Sequence, residues 1–166
     1  VSPFVARSVW ESNNGAPGDC ANKKVWAGLD LSEVNDLTAL VSVDDTGGVH
    51  SAFWLPKEGL AEKSRKDKVP YDMWEKQGFL NTTPGKAIEY EYLAEYLRGF
   101  FDRNNVQLIG CDRYNMRFLK PWLVKAGFSD PELEKFVEFG QGTASMTPAL
   151  RELEVKLLNG QLRHGA

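Results

Sequence analysis

Cysteine is scarce in this chain. The two present, Cys20 and Cys111, lie far apart in sequence and form no C-x-x-C pair. That argues against a disulfide framework and against a cysteine-based zinc or redox site, and makes a reducing compartment the default. Histidine is equally sparse, with only His50 and His164. There is no HExxH, no GxxxxGK[ST] phosphate loop, and nothing that supports a Ser-His-Asp triad. No apolar run is long enough to span a bilayer, and the N-terminus does not read as a signal peptide, so no membrane partner is expected. A basic surplus is also missing: Lys and Arg total 20 against 23 Asp and Glu, for a net charge of -3. The total therefore gives no hint of nucleic acid, although local clustering can override it. Internal repeats and low-complexity tracts are absent.

Aromatic residues are plentiful, with five Trp and nine Phe among 166 residues. The length suits one ordinary domain with a real core, plus an arm. Residues 1–24 hold Pro3, an Asn-Asn-Gly and a Pro-Gly, and read as a linker or arm in which Phe4, Val9 and Trp10 are docking candidates. Residues 25–166 read as the domain. The chain begins without Met and stops at Arg163-His164-Gly165-Ala166, so we read it as a fragment of a longer protein.

Short apolar runs at 25–31, 37–43 and 49–55 predict three strands joined by tight turns, an antiparallel meander. Residues 56–78 mix charge with aromatics and are partly helical; 79–85 read as a loop. Leu93, Leu97, Phe100 and Phe101 recur at helical spacing and predict a helix over 88–104. A strand follows at 106–111. A helix over 115–126 comes next, weakened or delayed by Pro121 and stopped at Gly127. A short strand is expected at 136–139. The last helix is expected to start at Thr147-Pro148, with Met146, Leu150, Leu153 and Leu157 as its apolar face. A meander continued by parallel strands with crossover helices is an α/β fold: a mixed sheet flanked by helices.

Two aspartates carry the chemistry. Asp30 ends the first apolar run and Asp112 the fourth. If those strands pair in parallel, two carboxylates sit side by side at one sheet end, and they repel unless a cation bridges them. That points to a divalent metal site. Asp36, across the first turn, could ligate a second ion or hold a water. The plainer readings are turn aspartates for Asp30 and Asp36, and a helix N-cap for Asp112. Arg113, Arg117 and Lys120 follow Asp112 closely and are placed to hold a phosphate backbone. The Lys57–Lys68 cluster, with Lys63 and Lys66, could track one too, or be a solvated helix face. Gln141, in a small polar loop, could touch substrate or simply turn the chain. His164 is a possible auxiliary donor or an unremarkable terminal histidine, and His50 is expected to be exposed.

These residues sit in phrases that resemble a known family. They are Trp26-Ala27-Gly28-Leu29-Asp30-Leu31-Ser32 with Asp36-Leu37-Thr38, then Gly110-Cys111-Asp112-Arg113-Tyr114. Phe139-Gly140-Gln141-Gly142 with Ser145-Met146 follows, and then Leu157-Leu158-Asn159-Gly160-Gln161-Leu162-Arg163-His164. Taken in order, they resemble the C-terminal nuclease domain of the large terminase subunit of tailed bacteriophages. The resemblance implies an RNase H-like fold and an endonuclease that cuts concatemeric double-stranded DNA by two-metal hydrolysis. It implies two Mg²⁺ or Mn²⁺ ions held by Asp30 and Asp112, with Asp36 auxiliary. It further implies a missing N-terminal ATPase domain, portal and small terminase subunit as partners, and the cytoplasm of an infected bacterium as the location. The family's last essential acid lies beyond the segment ending at His164, so the domain is expected to be C-terminally truncated and its site incomplete. Two alternatives stand beside this reading. One is another RNase H-like nuclease of transposase or resolvase type. The other is a non-catalytic docking module using a Trp10, Trp54 and Trp74 surface.

Overall fold

The computed structural model describes residues 2–165. Six strands form one sheet: β1 (Lys24–Asp30), β2 (Thr38–Asp44), β3 (Val49–Pro56), β4 (Asn81–Thr83), β5 (Asn105–Cys111) and β6 (Phe136–Glu138). Their order across the sheet is β4-β3-β2-β1-β5-β6. β1, β2 and β3 are the expected antiparallel meander, while β1–β5, β3–β4 and β5–β6 pair in parallel. The C-terminal ends of β1, β3, β5 and β6 therefore share one edge of the sheet, which we call the upper edge.

Strand alternation sorts the side chains to two faces. Val25 and Leu29 of β1, Val106, Ile109 and Cys111 of β5, and Ala52 and Trp54 of β3 point to one face. Helix α4 (Tyr90–Arg103) and helix α5 (Arg113–Lys125) cover it with Leu93, Leu97, Phe100, Phe101, Leu119 and Leu123. The other face is only partly covered. Helices α2 (Leu60–Asp67) and α3 (Tyr71–Lys76) pack near β3 and β4 through Leu55, Leu60 and Leu80. Helix α7 (Thr143–Leu158) buries Leu157 but leaves Leu150, Leu153 and Leu158 well exposed.

The remaining elements are short. Helix α6 (Asp130–Leu133) is started by a Ser129–Glu132 capping box. Arg98 bonds Glu132 and holds its carboxyl down at about pKa 2. Helix α1 (Arg7–Glu11) lies in the N-terminal arm. The arm is pinned by Asn13, whose side chain donates to the Leu157 carbonyl and accepts from the Leu162 amide.

Several expectations are corrected. The 79–85 loop contains β4, a three-residue parallel partner of β3 too short to show alternation. α7 starts at Thr143, so Thr147 is not its cap and Pro148 sits inside it. The helix tolerates that proline because the turn is solvated, and the carbonyl left without an N–H can meet water. α5 likewise runs through Pro121 from Arg113. His50 is not a free surface side chain, since its Nε2 is buried 3.5 Å from Asp44 Oδ2.

Candidate functional site

Asp30 and Asp112 come together at the upper edge. Leu29 pairs with Cys111 in the parallel β1–β5 ladder, so the next residues, Asp30 and Asp112, stand beside each other. Neighbouring strands lie about 4.8 Å apart. Both aspartates follow residues that point into the core; alternation turns Asp30 to the opposite, open face, and Asp112 lies just past the end of β5. The register depends on an irregularity. Val25 pairs with Val106 but Trp26 with Leu108, so Gln107 is an extra residue in β5. Had Trp26 paired with Gln107 in unbroken register, Leu29 would pair with Gly110 and Asp30 with Cys111. The bulge brings the two acids level.

Asp112 is also the N-cap of α5, as the plainer reading had it: its Oδ1 accepts from the Tyr114 amide at 3.2 Å. The two roles are compatible, because capping uses one oxygen and leaves the other available. Below the acids on the same face stand Gly28 and Gly110, which pair with each other. A Cβ on Gly28 would meet nothing within 4 Å, so the floor under Asp30 is open.

The loop after Asp30 is held from three sides. The Asn115 amide donates to the Leu31 carbonyl at 2.8 Å, the Tyr90 hydroxyl to the Ser32 carbonyl at 2.6 Å, and the Ser32 amide to Thr38 Oγ1 at 3.0 Å. Asn115 is buried in the first turn of α5 and ties the helix capped by Asp112 to the strand end carrying Asp30. It is a positioning residue that sequence reasoning missed. A signal existed: Asn115, Leu119 and Leu123 share one buried helix face, where a polar side chain needs a partner.

Cationic groups line two hollows along the same upper edge, neither of them lined by the acids themselves. Arg113, Arg117 and Lys120 line a hollow of about 230 Å³ with Cys111, Met116 and Glu138. Arg117 lies 4.1 Å over the Tyr114 ring, and Arg113 Nε stands 3.9 Å from Glu138. On the other flank, Lys63 and Lys66 line a groove of about 550 Å³ with Asn35 and with Lys86, a lysine the sequence did not single out. The Lys63 ammonium is held above its ordinary pKa, first by its bond to Asp67; exposed Asp36 directly follows Asn35, which lines this groove. Gln141 is exposed in the loop after β6, and the Phe139 amide bonds the Cys111 carbonyl to bring that loop beside Asp112. Cys111 itself is a core thiol, its pKa pushed up to about 11 by burial and by the nearby Asp112 and Glu138 charges. It is no nucleophile at neutral pH.

Two sequence candidates lie elsewhere. His164 stacks on Trp10 at 3.9 Å, and its neighbour Arg163 bridges to Gly48 at the lower edge. The length of β1, about 20 Å, separates that edge from Asp30, so His164 is not brought to the acids. The three tryptophans do not form one surface either. Trp54 is 3 % exposed and packs edge-on against Tyr96 in the core, Trp10 is taken up by His164, and only Trp74 stands near an open hollow.

Asp30 and Asp112 supply oxygen donors only. No group of three or more His, Cys, Asp or Glu able to hold a metal occurs among the described residues. The pair nonetheless suits a hard divalent ion such as Mg²⁺, which is commonly bound by one or two carboxylates together with waters and substrate phosphates. No helix among the described residues is long and apolar enough to cross a membrane.

Comparison with known proteins gives a consistent answer. Residues 2–166 match the family model described as the terminase large subunit, endonuclease domain. The terminase large subunit of Enterobacteria phage HK97 is 38% identical over 99% of this chain, which spans 32% of that protein. The crystal structure of the HK97 large terminase superposes with a TM-score of 0.86 at 38% identity, over 99% of this chain and 34% of that one. The large terminase nuclease from thermophilic phage G20c superposes at 0.57 with 10% identity, over 95% of this chain and 73% of that one, a likeness of fold alone. The mixed six-stranded sheet flanked by helices is RNase H-like.

Proposed function

The chain belongs to the terminase large-subunit endonuclease-domain family, and from that premise we propose that it is the metal-dependent nuclease of a phage packaging motor, hydrolysing phosphodiesters in concatemeric double-stranded DNA. The observation that carries this reading is the adjacency of Asp30 and Asp112, which directly follow the paired Leu29 and Cys111 at the upper edge of the sheet. Two carboxylates this close repel each other, and a bridging cation relieves the repulsion. Asp30 and Asp112 would hold Mg²⁺ or Mn²⁺, two ions in the complete site, with Asp36 as an auxiliary ligand. Such ions, when bound, neutralise phosphate charge and make water a better nucleophile.

The remaining roles fall to the chain itself. Arg113, Arg117 and Lys120 would hold the DNA backbone at one end of the upper edge, and Lys63 and Lys66 at the other, while Gln141, two residues after the Phe139 that bonds Cys111, would touch the strand between. Asn115 and Tyr90 fix the strand end so that Asp30 keeps its place when a polyanion approaches. The mild negative net charge is tolerable, because the cations are gathered where the phosphates pass. The chain spans about a third of the HK97 relative. The motor's ATPase domain, portal and small subunit as partners, and the bacterial cytoplasm as the setting, belong to the same proposal.

Calorimetric titration with Mn²⁺ tests the metal reading. Wild type should show weak binding and Asp30→Ala none; unchanged binding in the variant would remove Asp30 as a ligand. The flanking cations have their own expected result. Replacing Arg113 and Lys120 together with Ala should weaken binding to any duplex and reduce the slope of log affinity against log salt by about two, one for each phosphate no longer neutralised. A slope equal to wild type, measured by fluorescence anisotropy across a salt series, would take these two residues off the DNA path.

A further inference from the structure

The loop carrying Asp36 separates two unlike surfaces. Asn35, on one side, lines the lysine groove; Leu37, on the other, lines an apolar hollow of about 450 Å³ with Phe53, Trp74, Phe79 and Leu80. Phe79 is 68 % exposed, yet it is not loose. Its amide and that of Leu80 both donate to the Trp74 carbonyl, at 2.8 and 3.3 Å, closing the turn after α3. The turn is thus held at its backbone, while the Phe79 ring belongs to neither buried cluster. The sheet register ties the hollow to the acids. Asp30 pairs with Ala39, and Ala39 with Phe53, so Phe53 stands in the same row two strands away, about 10 Å across the sheet.

We infer that this hollow is a nucleobase subsite, in which Phe79 and Trp74 stack an unpaired base of the strand whose phosphates run through the Lys63, Lys66 and Lys86 groove. The inference rests on the nuclease reading and adds a ligand class to it. Aromatic platforms beside a cationic groove are how single strands are held without sequence preference, because every base has a π-face while the phosphates meet the cations. The groove has the charge for this. Lys63 is paired with Asp67, whereas Lys66 and Lys86 make no ion pair among the described residues. Glu58 and Glu62 also line the groove, so the net attraction there is modest and stacking must supply much of the affinity. A base held here keeps the strand's neighbouring phosphates close to Asp36 and Asp30.

The test uses the whole chain, with EDTA present so that no cleavage occurs. Two fluorescent oligonucleotides of equal length are titrated, one of thymidine and one abasic at every position. Wild type should bind the thymidine strand about tenfold more tightly. Phe79→Ala should abolish that preference and leave abasic binding unchanged, and Phe79→Trp should restore it. Lys66→Ala with Lys86→Ala should weaken both strands by the same factor. Equal wild-type affinity for the two strands, no measurable binding, or a Phe79→Ala loss shared by both strands would overturn the inference. Equal affinities would leave the hollow as a contact for an apolar protein surface. Metal-dependent plasmid cleavage that survives such a result would show that the nuclease reading stands without the base subsite.

Discussion

Asp112→Asn, in a terminase large subunit carrying this domain, is expected to lower DNA cleavage by about a hundredfold or more while leaving the fold intact. Asparagine is as good an N-cap as aspartate. Its side-chain oxygen can accept the same bond from the Tyr114 amide that Asp112 accepts now. The start of α5, and with it Arg113 and Asn115, should stay in place. What disappears is one negative charge beside Asp30. A neutral amide cannot help hold a divalent ion against the scissile phosphate, and a hundredfold loss is about 2.7 kcal/mol of transition-state stabilisation. Plasmid nicking in Mn²⁺, read with the melting temperature of each variant, separates charge from structure. Asp112→Ala should be as inactive and also less stable by about 1 kcal/mol, through loss of the cap. Undiminished cleavage by the Asn variant would defeat the catalytic reading.

The second large effect is expected at the lower edge and concerns stability. Asp44 is buried at the turn between β2 and β3. Its Oδ1 accepts from the Thr46 amide at 2.8 Å, the Thr46 hydroxyl at 2.6 Å and the Gly48 amide at 3.1 Å. Its Oδ2 faces Lys23 at 3.8 Å and His50 at 3.5 Å. Burial pushes the carboxyl pKa up; the bonds from Thr46 and Gly48, with the Lys23 charge, outweigh it and bring the pKa down to about 2. A depressed carboxylate stabilises the fold fully above its unfolded pKa of about 4 and loses that contribution as pH falls through about 2. The contribution is on the order of 2 kcal/mol.

Asp44→Ala should therefore cost about 2–4 kcal/mol at pH 7, because it also strands the turn amides of Thr46 and Gly48 and removes the partner of the half-buried Lys23. Asp44→Asn should cost less at pH 7, and its deficit should shrink as the pH is lowered from 4 towards 2. Urea unfolding across that range measures both. A deficit that grows on acidification would show that the charge is not what stabilises the turn. The same turn bonds the C-terminal segment, since Arg163 donates to the Thr46 carbonyl and its amide to the Gly47 carbonyl. The Asp44 variants should accordingly release His164 from Trp10, visible as a change in tryptophan fluorescence.

Much of the fold was legible in the chain because it is locally written. Val25 and Leu29 alternate with Trp26 and Gly28, the Leu93–Phe101 stripe recurs at helical spacing, and both Asp30 and Asp112 end apolar runs. Such patterns report which residues leave water, and burial drives the fold. Asn115 was readable on the same principle, as a polar residue on an apolar helix face. Other features have no local signature. β4 is three residues of Asn-Thr-Thr whose strand character comes only from pairing with β3. The start of α7 departs from expectation because Thr147-Pro148 imitates a helix start, and sequence does not reveal that the turn lies in water. The tryptophans looked like one surface, but the sheet separates them: Trp54 faces α4 and Trp74 the open side.

The sequence by itself determined the β1–β3 meander, the two acids at strand ends and the cations that follow Asp112, because each depends on residues close together in the chain. Tertiary structure decided which of these meet. The extra residue Gln107 in β5 brings Asp112 level with Asp30. The parallel pairing of strands distant in sequence puts the lysine groove, Gln141 and α5 at one edge. The clasp of Asn13 on Leu157 and Leu162 holds the N-terminal arm and His164 at the other. Register and long-range pairing are properties of the packed chain, fixed by burying one face of the sheet against α4 and α5.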